Sequence, residues 1–262
     1  MKMKQYIVDA FTDKLFSGNQ AAVCILNEWL PDSLMQNIAK ENNFSETAFC
    51  CVEDAQRTRF LLRWFTPNGE VDFCGHATLG TAFVIFNFYT DATKITFNTQ
   101  VGDLIISRKG DFLEMDFPAY QLKEIEVSRQ MTEAIGTEPI EAYIDRDLML
   151  VLKNSNDVKR LKPNLEKVKN LEGLLLIVTA KSGEYDCVSR VFAPKLGINE
   201  DPVTGSAHCM IVPYWCKILG KNELVCYQAS ERTGVLYART DKDRVKISGK
   251  AVLFSEGEIK LA

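Results

Sequence analysis

Two stretches decide how this chain folds: Asp72-Phe73-Cys74-Gly75-His76-Ala77-Thr78-Leu79-Gly80-Thr81-Ala82-Phe83-Val84-Ile85-Phe86 and Asp201-Pro202-Val203-Thr204-Gly205-Ser206-Ala207-His208-Cys209-Met210-Ile211-Val212-Pro213-Tyr214-Trp215. Each runs from an acid through Gly-polar-Ala into a mostly apolar run, and together they hold the only two histidines, His76 and His208. Gly75 and Gly205 lie 130 positions apart in 262 residues, the spacing of a duplicated domain. From Ala77 to about Phe88 the residues are apolar nearly all round, which predicts a helix buried on every side. In a soluble chain such a helix requires a sheet wrapped around it. The second run carries Pro213, which should kink its helix or fall in the first turns.

The flanks fit that expectation. Lys4 to Phe11 and Ala21 to Leu26 read as strands joined by the turn Ser17-Gly18-Asn19-Gln20. Pro31-Asp32-Ser33 starts a helix with Leu34, Ile38 and Ala39 at helical spacing. Strands are predicted at Glu46 to Val52 and Thr58 to Phe65, then at Lys94 to Phe97, Leu104 to Ser107 and Phe112 to Phe117 after the apolar helix. Lys123 to Ala142 is more polar and reads as a connection followed by a helix near Gln130 to Ile135. The second half repeats the order, with a helix at Asn164 to Leu171, strands at Leu174 to Val178 and Tyr185 to Val191, the apolar helix, and closing strands from Leu224 to Ser255. The expected halves are 1–117, completed by a terminal strand at 250–262, and 118–249.

Composition narrows the function classes. A 46% hydrophobic content supplies a core, and 25% charge is ordinary for a soluble protein. A net charge of −4 argues against a nucleic-acid partner, since phosphate neutralisation needs concentrated Lys and Arg. The most basic stretch, Lys159 to Lys169, alternates with Leu161, Leu165 and Val168 and reads as the solvated face of a short helix. No signal peptide is visible and no apolar run reaches the roughly 20 residues of a membrane span, so a cytoplasmic, reduced environment is expected for the eight cysteines. Cys74-Gly75-His76 is too tight for the usual zinc ligand pairs, so no metal is expected.

The two segments suit an anion. The first N–H groups of a helix lack internal partners and carry partial positive charge, and a glycine at the start admits a ligand close to that backbone. Two such starts would hold a carboxylate or phosphate. His76, one residue into its helix, is a candidate catalytic group, because imidazole titrates near neutral pH. His208, among apolar neighbours, reads as a core histidine. Asp201 reads either as a turn acid or as a functional one, with the Thr204 and Ser206 hydroxyls at the same point. In Asn43 to Val52, strand alternation puts Glu46 on one face with Phe44, Ala48, Cys50 and Val52. If that face is covered, burial would raise the carboxyl pKa toward a useful acid/base range; if not, Glu46 looks outward.

Four motifs sharpen this. Phe16-Ser17-Gly18-Asn19-Gln20-Ala21-Ala22-Val23, Phe44-Ser45-Glu46-Thr47-Ala48-Phe49, Phe65-Thr66-Pro67 with Glu70 to Thr78, and Arg190-Val191-Phe192-Ala193-Pro194 with Glu200 to His208 resemble the signatures of the PhzF-like phenazine-biosynthesis family, in order and over essentially the whole chain. The resemblance implies an α+β, diaminopimelate-epimerase-like fold. That fold has two pseudo-symmetric halves, each a mostly antiparallel sheet around a central buried helix, with the active site in the cleft between them. It implies a cofactor-independent isomerase, usually a homodimer, whose characterised family chemistry is isomerisation of a dihydro-hydroxyanthranilate. Matched by motif, Glu46 is the proton-shuttling acid/base. His76 and Asp201 are its catalytic companions, and Asn19, Gly75, Thr204, Gly205 and Ser206 are substrate contacts.

Two rivals follow from the same residues. Cys74 stands where the wider superfamily's two-cysteine racemases place their first thiol, but the second position is Thr204, which cannot supply a thiolate. The other rival is a non-catalytic protein that binds a small carboxylate. The expected reading is therefore an isomerase of a small, cyclic, carboxylate-bearing substrate.

Overall fold

The residues Gly75–Phe88 form one helix, and 11 of its 14 residues are buried. The computed structural model describes residues 2–261. The chain divides into two compact units; the first ends at Asp116 and resumes at Ser248, and the second is Phe117–Ile247. Among the described residues no helix is long and apolar enough to cross a membrane.

The first unit runs β1 (Lys2–Ala10), β2 (Asn19–Leu26), α1 (Asp32–Asn42), β3 (Glu46–Val52), β4 (Arg59–Thr66), β5 (Gly69–Val71), α2 (Gly75–Phe88), β6 (Lys94–Thr99), β7 (Gly102–Lys109) and β8 (Phe112–Pro118). Pairing is antiparallel for β1–β2, β3–β4, β4–β5, β6–β7 and β7–β8, and parallel for β2–β3 and β4–β6. The terminal strand Ala251–Lys260 pairs antiparallel with β1. Parallel neighbours need a crossover; here α1 links β2 to β3, and α2 lies in the link from β4 to β6. On the α1 side, Met35, Ile38 and Ala39 pack with Cys24, Leu26, Phe49, Cys51 and Phe65. The other crossover, α2, packs against β1, β2, β3 and the terminal strand. Its two mid-helix hydroxyls, on Thr78 and Thr81, donate to the Cys74 and Ala77 carbonyls, so neither is left unsatisfied in the core.

The second unit runs β9 (Lys123–Ile125), α3 (Arg129–Ile135), β10 (Glu141–Ile144), β11 (Leu148–Val151), α4 (Ser155–Arg160), α5 (Leu165–Lys169), β12 (Leu176–Lys181), β13 (Cys187–Ala193), β14 (Ile198–Asp201), α6 (His208–Leu219), β15 (Glu223–Gln228), β16 (Gly234–Asp241) and β17 (Arg244–Gly249); the terminal strand is β18. Its ladder repeats that of the first unit: β10–β11 antiparallel, β11–β12 parallel, β12–β13 antiparallel, β13–β15 parallel and β15–β16 antiparallel. Helix α6 occupies the place of α2.

Several details differ from the patterning. Strands β10 and β11 were not marked by it: each is four residues long, and β11 is buried on both faces, so neither shows a two-residue period. The same holds for β3, where Thr47 to Cys51 are all buried and Val52 is exposed, so the single apolar face expected there does not exist. Pro213 lies inside α6, as the sequence places it, at the sixth residue. It removes the N–H that the Cys209 carbonyl would accept, and the Tyr120 N–H takes that place at 3.1 Å. The basic stretch does line solvent, with Val158, Leu161 and Val168 turned into the core.

The β1–β2 turn tolerates little change at Gly18. Its φ is +70°, and a Cβ there would lie 2.2 Å from the Ala10 carbonyl oxygen. Gly18→Ala is therefore expected to lower unfolding free energy by about 1–3 kcal/mol, because both backbone strain and backbone displacement are forced. Urea denaturation checks this; an unchanged midpoint would show the turn to be plastic.

Candidate active site

Glu46 is the first residue of β3, and His76 the second of α2. Residues 47, 49 and 51 of β3 face away from α2; Phe49 and Cys51 sit in the α1 cluster. Glu46 takes the opposite parity and meets the start of α2. Its Oε2 lies 3.0 Å from His76 Nε2, and the side chains are 13% and 6% exposed. The contact is an ion pair between a carboxylate oxygen closed to solvent and a buried ring.

The other ring nitrogen is also occupied. Asn19, first residue of β2 and 1% exposed, places its Nδ2 3.0 Å from His76 Nδ1. In that orientation the amide donates, and the ring proton of a neutral imidazole sits on Nε2, toward Glu46. A charged ring is served by turning the amide so that Oδ1 accepts. Asn19, expected among the substrate contacts, is thus placed behind His76. Cys74 completes the group, with Sγ 3.5 Å from Nδ1 and 4.0 Å from Nε2. It is the extended N-cap of α2 and makes no side-chain cap, so the N–H groups of Gly75 and His76 open the helix ahead of its first internal acceptor.

In the second unit the residues matched to these are arranged differently. Helix α6 starts at His208, three residues after Gly205, and a tight turn with His208 N–H on the Gly205 carbonyl and Cys209 N–H on the Ser206 carbonyl fills the gap. Neither Gly75 nor Gly205 is at positive φ, so the backbone there does not itself require glycine. Asp201 ends β14, and its Oδ2 accepts the Thr204 hydroxyl at 2.5 Å. Gln228, fully buried, ties this loop together: it donates to the Asp201 carbonyl and Thr204 Oγ1 and accepts from the Thr204 N–H. Ser206 Oγ accepts from Arg146 Nη2 at 3.0 Å, while Arg146 grips the buried Asp147 through Nε and Nη2. His76 and Ser206 each follow the glycine of their segment, and each is held from a matched strand pair: by Asn19 at the start of β2 in one unit, and by Arg146 between β10 and β11 in the other.

Patterning did not mark Gln228, Arg146 or two ion pairs that frame the helix starts. Arg63 on β4 grips Glu70 on β5 with Nε and Nη2, both at 2.7 Å; Arg190 on β13 grips Glu200 on β14 with the same atoms at the same distances. Each guanidinium also lies over the ring two residues on, Phe65 or Phe192. Each glutamate precedes its glycine by five positions. Two bidentate, half-buried clamps therefore fix the loops leading to Gly75 and Gly205. The signal was available in the repeat Arg63-Trp64-Phe65-Thr66-Pro67 and Arg190-Val191-Phe192-Ala193-Pro194.

The two histidines are tuned oppositely. At His76 burial alone would push the imidazole down, but its neighbours Cys74 and Glu46 outweigh it and hold the ring well above its usual 6.5. Burial and the nearby Glu46 push the Cys74 thiol up to about 11, against an opposing pull from His76, so near neutral pH it is a thiol. His208 is fully buried, with Nδ1 donating to the Thr204 carbonyl at 2.8 Å and Nε2 unpartnered. Desolvation lowers it to about 4, which makes it a neutral core group.

The profile of the phenazine biosynthesis-like family, PhzC-PhzF, matches residues 8–257. A Pseudomonas aeruginosa protein named an uncharacterized isomerase is 44% identical over 262 residues, covering 100% of both chains. The crystal structure of a PhzF-family phenazine biosynthesis protein from Enterococcus faecalis superposes with a TM-score of 0.97 at 46% identity over 100% of both chains. A probable proline racemase from Agrobacterium radiobacter superposes at 0.69 with 7% identity, over 99% of this chain and 93% of its own. The likeness is one of fold, the diaminopimelate-epimerase-like fold.

With only two histidines, the imidazole region of a proton NMR spectrum holds two titrating residues. One is expected to titrate above 6.5 and to shift downward in Glu46→Gln, which leaves Cys74 as the neighbour opposing burial; a wild-type value at or below 6.5 would contradict the pairing. The other should stay neutral down to about 4. Below 6.5 the unfolded chain takes up a proton that native His208 refuses, so stability present at neutral pH is lost as pH falls, by about 3 kcal/mol by pH 4. His208→Asn, which keeps a donor for the Thr204 carbonyl, is expected to flatten that part of the stability profile. Denaturation at pH 7 and pH 4.5 measures it.

Proposed function

This chain belongs to the phenazine biosynthesis-like (PhzC-PhzF) family and is an isomerase, and we propose that it moves a proton between two carbons of a small, cyclic, carboxylate-bearing substrate through Glu46. The observation that carries this reading is the Glu46 carboxylate set 3.0 Å from His76 Nε2 at the uncapped start of α2, nearly closed to solvent. A carboxylate so placed takes a proton from carbon in its ionised form and returns it in its acid form, so one group serves both steps. Removing the proton sends negative charge into the substrate. The free N–H groups at the start of α2 and a protonated His76 are preorganised donors for that charge. Asn19 accompanies the change, since its amide serves either protonation state of the ring. Asp201, hydrogen-bonded to Thr204, is proposed as the second unit's proton-holding acid, with Gly205 and Ser206 as substrate contacts. The shuttle as written uses no cofactor.

The racemase alternative lacks support in this geometry. A two-thiol mechanism needs a thiolate facing a thiol; Cys74 is a buried thiol, and Thr204, in the matched position, is bound to Asp201 and Gln228.

Incubating the protein with cyclic carboxylic acids in deuterated water tests the reading. Deuterium is expected to enter a carbon position of a turned-over compound, and Glu46→Gln to slow that by at least about 100-fold, the usual scale of a positioned acid/base. Cys74→Ser should slow it far less. Binding with no exchange would point instead to a carboxylate-binding protein, and exchange that survives Glu46→Gln would end the proposal.

A further inference from the structure

We propose that Glu46, Cys74 and His76 form a binding site for one thiophilic divalent cation of the zinc class, and that the bound ion shuts off the isomerase. Among the described residues this is the one cluster of three His, Cys, Asp or Glu donors, and its ligand atoms lie within 4.8 Å of one another. The Cys74-Gly75-His76 spacing, too tight for a zinc pair on regular structure, is reconciled by the backbone. Cys74 is extended, with φ −147° and ψ 113°, whereas His76 is helical, so the two side chains converge. Glu46 enters from β3.

Donor chemistry fits this class of ion. Thiolate, imidazole and carboxylate are the three zinc ligand types, and three protein ligands leave a fourth position for water. With metal–ligand lengths of about 2.0–2.3 Å, tetrahedral ligands sit about 3.3–3.8 Å apart. Here Nε2 lies 3.0 Å from Glu46 Oε2 and 4.0 Å from Cys74 Sγ, so metal binding requires the Glu46 and Cys74 side chains to turn until all three donors reach tetrahedral spacing. Support around the ligands is already in place. Asn19 holds Nδ1, and its oxygen accepts from Nδ1–H when Nε2 binds a metal; such partners typically set affinity by 10- to 100-fold. On binding, the thiol proton leaves to the buffer, as does the Nε2 proton, and no redox change occurs. Inhibition rests on the Glu46 reading above, because a carboxylate bound to a divalent cation is a much weaker base and is held away from the substrate carbon; binding does not rest on it.

Cobalt(II) titrated alone into the full, reduced chain tests the site. One equivalent is expected to give the thiolate-to-cobalt charge-transfer band and the visible bands of a four-coordinate ion, both lost on adding zinc. Cys74→Ser should abolish the charge-transfer band, and His76→Asn, with native circular dichroism, should weaken binding at least about 10-fold. No band, or an undiminished band in Cys74→Ser, overturns the proposal. A band without loss of deuterium exchange leaves the metal site standing and removes its inhibitory role; a band in a protein whose exchange survives Glu46→Gln separates the site from the shuttle altogether.

Discussion

A helix that is apolar on every side must be covered on every side in water, and here strands supply that cover. This constraint governs both units. The link from β4 to β6 must pass through α2, and the link from β13 to β15 through α6, so each helix lies in a crossover between parallel neighbours. The remaining pairings are mostly antiparallel and carry the sheet around the helix. Side chains that would disturb the buried surface are absorbed locally: Thr78 and Thr81 bond back to their own helix, Trp215 donates to Thr179, and the carbonyl freed by Pro213 is taken by Tyr120. Polar groups inside a core are expensive unless paired, and these are paired.

The same constraint explains where chemistry collects. A buried helix has no exposed face on which to place functional groups; its N-terminus is where unsatisfied donors remain. The loops that lead there are fixed by the Arg63–Glu70 and Arg190–Glu200 clamps, identical in atoms and distances. What stands on the two frames is different. In the first unit, Glu46, Cys74 and His76 form a titratable cluster, with Asn19 held against the imidazole. In the second, Asp201, Thr204, Gln228, Ser206 and Arg146 form a hydrogen-bonded loop, and the histidine is neutral and sealed in the core. The frame is common to the two units; the side chains that stand on it are not.

Much of this was legible in sequence. The two Gly-polar-Ala segments, the all-apolar runs and the motif order carried the fold and the family, because burial on every side leaves a composition signature that no surface helix has. Glu46, His76, Asp201, Thr204, Ser206 and the two glycines were marked by the segments and motifs. Gln228 and Arg146 were not, since each acts on residues more than twenty positions away and neither breaks a local pattern. Strands β10 and β11 were missed because four-residue strands, one of them buried on both faces, have no period to read.

The sequence by itself determined that each half encloses one helix and that glycine, hydroxyl, acid and histidine side chains gather at the helix starts, since hydrophobic periodicity and residue spacing are properties of local sequence. It did not determine which way Glu46 looks, which histidine carries a proton, or that Cys74 stands against His76. Strand alternation left Glu46 open between a covered and an exposed face, and β3 turned out to be buried on both. Only the packing of the start of β3 against the start of α2 brings the carboxylate to the imidazole, and only the depth of His208 makes its proton unwelcome. Those are distances between residues far apart in the chain, and a protonation state depends on distances and burial that no local pattern encodes.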